Sequence, residues 1–460
     1  MYKISLILIL SAFLLTYSFS QSTDEHKRFI KNIYEESLTA HHTHQILQQL
    51  CQKFPRRLSG SKGLEDAVQW AKSLMEGYNF DNVFLQNVLV PHWVRGEKES
   101  AYFYNSKGKK ENLTILALGR SIATPVDGIS AQIIQVASLE EIPQLGKEKI
   151  EGKIVYISKP FAQHFIRTFE GYSETVQIRS KGPSEAAKYG ALACIIRSVG
   201  TADDDYAHTG GLRYAVNVPQ IPAAALSVKS AKKLERALQH NPEVKFYLKI
   251  NSNTLPDKMS HNVIGEIKGS ENPQKIIVIA GHLDAWDVGQ GAHDDGAGCM
   301  QSVMAVRMLQ QMGYKPKNTL RVVLFTNEEN GIKGGKKYAE LAVKNKEDHI
   351  FALESDAGGF TPRAIGIKGP DSLVQNLSSW IKYFPDFTID KIVMGDGGAD
   401  VSPLNKETGT PVGGLLPDSQ RYFDFHHTHA DVFEAVNKRE LEMGTASMAS
   451  FIYLVDQLGL

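Results

Sequence analysis

Three stretches of the chain concentrate acidic and imidazole side chains. The first is Gly281-His282-Leu283-Asp284, followed by Asp294-Asp295-Gly296-Ala297-Gly298. The second is Thr326-Asn327-Glu328-Glu329, and the third is Glu354-Ser355-Asp356. A late run, Phe425-His426-His427-Thr428-His429-Ala430-Asp431, adds further imidazoles. A metal site that hydrolyses amides needs nitrogen and carboxylate ligands, with positions left open for water and substrate. His282, Asp294, Glu329, Asp356 and His427 supply two imidazoles and three carboxylates. With no thiolate among them, the set suits two zinc ions per chain, with Co2+ or Mn2+ as substitutes. Two metals share five side chains if one carboxylate bridges, and Asp294 is the candidate bridge.

A base must take the proton of the attacking water. Adjacent residues leaving a strand point in different directions, so Glu329 can ligate while Glu328 faces the water. Asp284, two residues after His282, is placed to accept the other imidazole N–H and set its tautomer, and Asp431 could do the same for His427. Taken singly, each residue has an ordinary structural reading. Asp295-Gly-Ala-Gly could be a turn opening a helix over Gly296 to Met312, and Glu354 or Asp356 could cap a loop. The recurrence of such clusters at the ends of three successive apolar runs argues against that reading.

Those runs are Lys275 to Ala280, Leu320 to Phe325 and Ile350 to Leu353, separated by amphipathic helical stretches. Apolar strands spaced by helices predict a three-layer α/β/α sandwich with a mostly parallel sheet. The crevice of such a sheet lies outside the carboxyl ends of its strands, where the clusters fall. From Ala117 to Ile250 the texture changes. Short β-rich runs at Gln132 to Val136, Gly152 to Ile157 and Ala191 to Arg197 alternate with helical patterns at Gly182 to Tyr189 and Lys229 to Leu238. Few ligand-type residues cluster there, so this region reads as an inserted accessory domain and not as the seat of chemistry.

The start of the chain reads as an export signal over residues 1–20: Lys3, an apolar run from Ile4 to Tyr17, then small residues at Ser18 and Ser20. Residues 21–44 read as a pro-segment or a solvated N-terminal helix. Its cluster of His41, His42 and His44 lacks carboxylates at ligand spacing. The catalytic α/β fold is expected over 45–116 and 251–460, around the insertion at 117–250, with Arg56-Arg57-Leu-Ser-Gly-Ser as a loop between two helices. Lys+Arg and Asp+Glu are equal at 51 each, which excludes a global basic field for nucleic acid. No later segment is apolar enough to span a membrane, so no membrane partner is expected after signal cleavage. Three cysteines, Cys51, Cys194 and Cys299, exclude a disulfide framework. Asn112-Leu-Thr and Asn376-Leu-Ser are glycosylation sequons. Secreted or periplasmic placement follows from the signal.

On Gly-His282-Leu-Asp284, Asp294-Asp-Gly-Ala-Gly, Asn-Glu328-Glu329, Glu-Ser-Asp356 and His427-Thr-His-Ala-Asp431, in that order, the chain resembles the co-catalytic zinc exopeptidases of peptidase family M28. The resemblance implies His282, Asp294, Glu329, Asp356 and His427 as metal ligands, Asp294 as bridge, Glu328 as general base and Asp284 as support for His282. It selects His427 over His426 and His429, which remain second-choice ligands or substrate contacts. Asn262-Val-Ile-Gly265 is similar to the strand leading into the catalytic sheet of such enzymes. Ser180-Lys-Gly-Pro-Ser-Glu-Ala-Ala-Lys-Tyr-Gly-Ala resembles the helix of a protease-associated domain. The implied substrates are short peptides or dipeptides cut at one terminus, as carboxypeptidases, dipeptidases or aminopeptidases of the family do, and homodimerisation is an expectation from nearer family members. A ligand set this complete speaks against an inactive binding protein of the same fold. Together with the insertion, it also speaks against a one-metal acyltransferase like glutaminyl cyclase.

Overall fold

The computed structural model describes residues 23–395 and 397–460, so the export signal expected over 1–20 lies outside the described residues. Among the described residues, sixteen strands form two eight-stranded sheets. Strand β1 (Asn82–Val94) belongs to the catalytic sheet. The chain then passes through the second sheet in β2 (Ser100–Tyr104), β3 (Lys110–Leu113), β4 (Ile115–Ala117), β5 (Ile129–Val136), β6 (Ile154–Ile157), β7 (Ala193–Arg197), β8 (Ala223–Leu226) and β9 (Lys245–Lys249). It returns through β10 (Asn253–Ile267), β11 (Asn272–His282), β12 (Asn318–Phe325), β13 (Asp348–Glu354), β14 (Pro362–Lys368), β15 (Lys391–Met394) and β16 (Val412–Pro417). Strands of the second sheet thus begin at Ser100, earlier than the change of texture near Ala117 implied.

The catalytic sheet runs β1-β10-β12-β11-β13-β16-β14-β15. Its four central strands, β12, β11, β13 and β16, are parallel. Its flanks are antiparallel at β1/β10, β10/β12 and β14/β16, so the sheet is mixed where a mostly parallel one was expected. Apolar runs report burial on both faces but carry no record of strand direction, and the correction falls on the flanks. Successive side chains of β11 enter opposite layers. Ile277 and Ile279 pack with the helices Ala297–Gln311 and Lys438–Leu458, whereas Val278 and Ala280 pack with Lys333–Asn345 and Ser402–Thr408.

Residues 23–40 are helical, and Ile30, Ile33 and Tyr34 are buried in the main core cluster. The Tyr34 hydroxyl lies 2.8 Å from Ser447 Oγ, and Ser37 Oγ donates to the Glu442 backbone oxygen at 2.8 Å. This helix is therefore part of the main core and not a solvated extension. His44 packs its ring on Phe433 at 4.5 Å. Cys51, Cys194 and Cys299 are buried free thiols. Among the described residues, no helix is long and apolar enough to cross a membrane.

Candidate metal centre and its walls

The three central strands finish on one edge because their registers align. His282 pairs with Phe325 across β11/β12, and Ala280 pairs with Glu354 across β11/β13. The residues leaving those strands therefore converge. Glu328 and Glu329 open the turn Glu328–Gly331, for which Asn327 adopts a left-handed φ of 66°. Asp294 lies in the turn Ala292–Gly296 that precedes the helix Ala297–Gln311. His427, at φ 61°, follows the short helix Tyr422–Phe425.

Five side chains meet there. His282 Nε2 stands 3.3 Å from Asp294 Oδ1 and 3.3 Å from Asp356 Oδ1. His427 Nε2 stands 3.1 Å from Asp294 Oδ2 and 3.0 Å from Glu329 Oε2. His426 Nε2 is more distant from Asp294 Oδ2, at 3.8 Å, and stacks on His427 with ring centroids 3.5 Å apart. Two groups have the spacing of a cation site: His282 with Asp294 and Asp356, and Asp294 with His426 and His427. His429 is exposed and belongs to neither.

The donor set fits a metal. His282 Nε2, Asp294 Oδ2 and Glu329 Oε1 are buried without a hydrogen-bond partner, a costly arrangement unless something else satisfies them. Zinc–nitrogen and zinc–oxygen bonds of about 2.0–2.1 Å place tetrahedral ligand atoms about 3.3 Å apart, close to the separations found here. Charge points the same way. Burial, reinforced by Asp356 and Asp400, pushes the Glu328 carboxyl well above its usual range. Burial and Asp294 likewise raise Glu329. Burial works against charge on His427, but the carboxylates of Glu329 and Asp294 overcome it and lift its pKa to about 9. So many buried carboxylates in one place lack a countercharge that a cation would provide.

The surrounding carboxylates hold backbone rather than imidazole. Asp284 was expected to accept the second N–H of His282, but His282 Nδ1 meets the Asp284 backbone oxygen at 2.9 Å while the carboxylate stays 3.8 Å away. That carboxylate instead accepts the amides of Glu328 at 3.0 Å and Glu329 at 3.3 Å. Asp431, expected to support His427, accepts the amides of His293 at 2.7 Å and Asp294 at 3.2 Å. The difference has a physical cause: the turns carrying these residues leave amides unpaired, and a buried carboxylate takes them first. Asp295 and Glu354 do similar work on the His282 and Asp400 amides, which for Glu354 is the loop-capping role that the sequence offered as its structural reading.

Residues 262–452 match the sequence profile of peptidase family M28. Carboxypeptidase Q of Bos taurus is 37% identical over 402 residues, covering 87% of this chain and 82% of its own length. The chain belongs to peptidase family M28. Human carboxypeptidase Q is 37% identical over 399 residues. An M28 peptidase precursor from Shewanella amazonensis superposes with a TM-score of 0.90 at 34% identity, covering 94% of this chain and 97% of its own. A zinc aminopeptidase from Bacillus subtilis, 18% identical with a TM-score of 0.64, shares the fold. As an M28 member the chain is a metallo-exopeptidase, a hydrolase of peptide bonds.

In this M28 chain the region after β1 does more than stand apart. Thr209 donates its amide to the His427 carbonyl at 3.0 Å, and its own carbonyl lies 3.4 Å from His427 Nδ1. Trp286 leaves the catalytic loop to enter the core of the second sheet, where a side chain at Gly119 would collide with its ring. Tyr172 packs edge-on against His426 at 5.2 Å, and its hydroxyl oxygen accepts a hydrogen bond from Arg179 Nη2 at 2.5 Å. Arg179 is 6% exposed, and its Nε has no hydrogen-bond partner. Distance in sequence hid Arg179 and Tyr172, because no local spacing ties them to His427.

Proposed function

We propose that this M28 peptidase is a secreted dinuclear-zinc exopeptidase that releases a residue from the carboxyl end of short peptides or dipeptides. The observation that carries the dinuclear reading is Asp294, whose two carboxylate oxygens face two different histidines. His282, Asp294 and Asp356 would hold one ion, and His427, Glu329 and Asp294 the other. When bound, such ions acidify water towards neutrality and polarise the scissile carbonyl. Glu328 accepts the water proton on its carboxylate and delivers it to the departing amide nitrogen, a transfer suited to a carboxyl whose pKa burial has raised. Asp284 holds the Glu328 and Glu329 amides, so base and ligand keep fixed positions relative to each other.

The carboxyl-end reading rests on Arg179. Its buried guanidinium, with Nε unpaired, lies against Tyr172, which packs on His426, and would be the group that a free peptide carboxylate meets. The region at 117–250 is read as a protease-associated insertion that supplies this wall. Secretion rests on the signal pattern over 1–20, and homodimerisation on relatedness. Metal analysis of the purified mature protein, with turnover of free, N-blocked and C-blocked dipeptides, tests the proposal. About two zinc ions, tolerance of the N-block and loss with the C-block support it. The reverse blocking pattern makes the enzyme an aminopeptidase, and indifference to both blocks removes the exopeptidase reading.

A further inference from the structure

Arg57 is fully buried, and among the described residues no carboxylate is hydrogen-bonded to it. Its guanidinium donates to backbone oxygens: Nε to Leu283 at 2.8 Å, Nη1 to Phe54 at 3.1 Å and to Gln290 at 2.7 Å, and Nη2 to Gly291 at 3.0 Å. Three of these acceptors lie on one loop. Leu283 directly follows His282, and Gln290 and Gly291 lead into Asp294, so a single side chain grips both ends of the segment joining two of the convergent side chains. The Arg57 carbonyl also accepts the Ala285 amide at 3.3 Å. Gly291 has φ +57°, and a Cβ there would come within 2.9 Å of Arg57 Nη2, so the loop is shaped around the guanidinium.

Ser59, two residues on, reaches the other strand ends. Its hydroxyl donates to Asp284 Oδ2 at 3.3 Å and accepts from Asn327 Nδ2 at 2.9 Å. Asp284 in turn holds the Glu328 and Glu329 amides. A segment between the helices His42–Lys53 and Lys62–Gly77, remote in sequence from the site, therefore touches the loops after both β11 and β12.

We propose that Arg57 and Ser59 are positioning residues for the metal centre, presetting the separation of His282, Asp294 and Glu329 before a cation arrives. This rests on the dinuclear reading given above. Burying a guanidinium without a paired carboxylate is unfavourable, which is hard to explain for a loop that only connects two helices. Lysine keeps the charge but not the planar fork that spans four carbonyls, so it cannot hold both ends of the loop.

The test titrates zinc into metal-free wild type, Arg57→Lys and Ser59→Ala against a competing chelating dye, alongside the unfolding midpoint of each metal-free protein. Wild type taking up no zinc would end the dinuclear reading itself, a failure distinct from that of the positioning role. With wild type binding, Arg57→Lys is expected to weaken zinc affinity by roughly 10–100-fold and Ser59→Ala to weaken it in the same direction. A lowered unfolding midpoint with unchanged zinc affinity would show a merely structural role and overturn the proposal. If Arg57→Lys does not fold, Ser59→Ala decides: weaker binding supports the proposal and wild-type binding overturns it.

Discussion

Asp294 stands between His282 and His427, its Oδ1 3.3 Å from one imidazole and its Oδ2 3.1 Å from the other. On the proposed dinuclear reading, a carboxylate so placed would serve two ions at once and each histidine one. Asp294→Ala should therefore abolish binding of both zinc ions, while His427→Ala should leave about one. Elemental analysis of the two purified variants checks this, and equal metal contents would remove the bridging role.

Glu328 is adjacent to Glu329 but is not among the side chains that converge on either histidine. Glu328→Gln keeps the volume and loses the proton acceptor. Turnover of an unblocked dipeptide should drop by about 10²–10⁴-fold with zinc content unchanged. Full activity in this variant would assign the base elsewhere.

Arg179, on the short helix Gln177–Ser180, donates to Tyr172, whose ring packs against His426, and leaves its Nε unpaired. Hydrogen bonds to a charged partner are worth about 1.5–3 kcal/mol, so Arg179→Ala should lower kcat/KM for free dipeptides by roughly 10–100-fold. The loss should fall mainly on KM and should be absent for a C-amidated substrate, whose basal cleavage is already low. An equal loss on both substrates would mean that Arg179 only shapes the fold.

Ile33 is completely buried in the main core, on the helix spanning residues 23–40. Ile33→Ala leaves a cavity there and should destabilise the protein by about 2–5 kcal/mol. Denaturant titration measures the loss. A change within a few tenths of a kcal/mol would show that this helix is dispensable, as a removable pro-segment would be.

His349 lies far from the convergent cluster, on β13, with its Nε2 2.7 Å from the Tyr338 hydroxyl. Burial first, and the Arg321 charge second, lower its pKa from 6.5 to about 4. The unfolded chain therefore binds a proton between pH 6.5 and 4 that the folded chain refuses. The stability this neutral imidazole contributes is fully present above pH 6.5 and is lost as pH falls towards 4. Against His349→Gln, wild type should lose up to about 3 kcal/mol across that window. Parallel stability curves for the two proteins would contradict it.

Much of the architecture was legible without coordinates. Runs such as Lys275 to Ala280 and Leu320 to Phe325 sit inside β11 and β12, and the helical pattern of Val228–His240 covers the stretch expected at Lys229 to Leu238. Periodicity is a local property, so a local reading finds it. The direction of the flanking strands was not legible, since hydropathy does not encode it. Nor was the start of the second sheet at Ser100, because β2 and β3 are only five and four residues long.

The site divides along the same line. Sequence alone determined which side chains reach one edge, because His282, Glu328, Glu329 and Asp356 follow apolar strands whose ends must share it. Only the tertiary structure decided what holds them. Asp284 and Asp431 turned out to bind amides and not imidazoles, and Arg57, Ser59, Tyr172, Arg179 and Thr209 arrived from segments distant in the chain. Hydrogen bonds between such segments depend on which buried donors remain unpaired after folding, and no spacing along the chain records that.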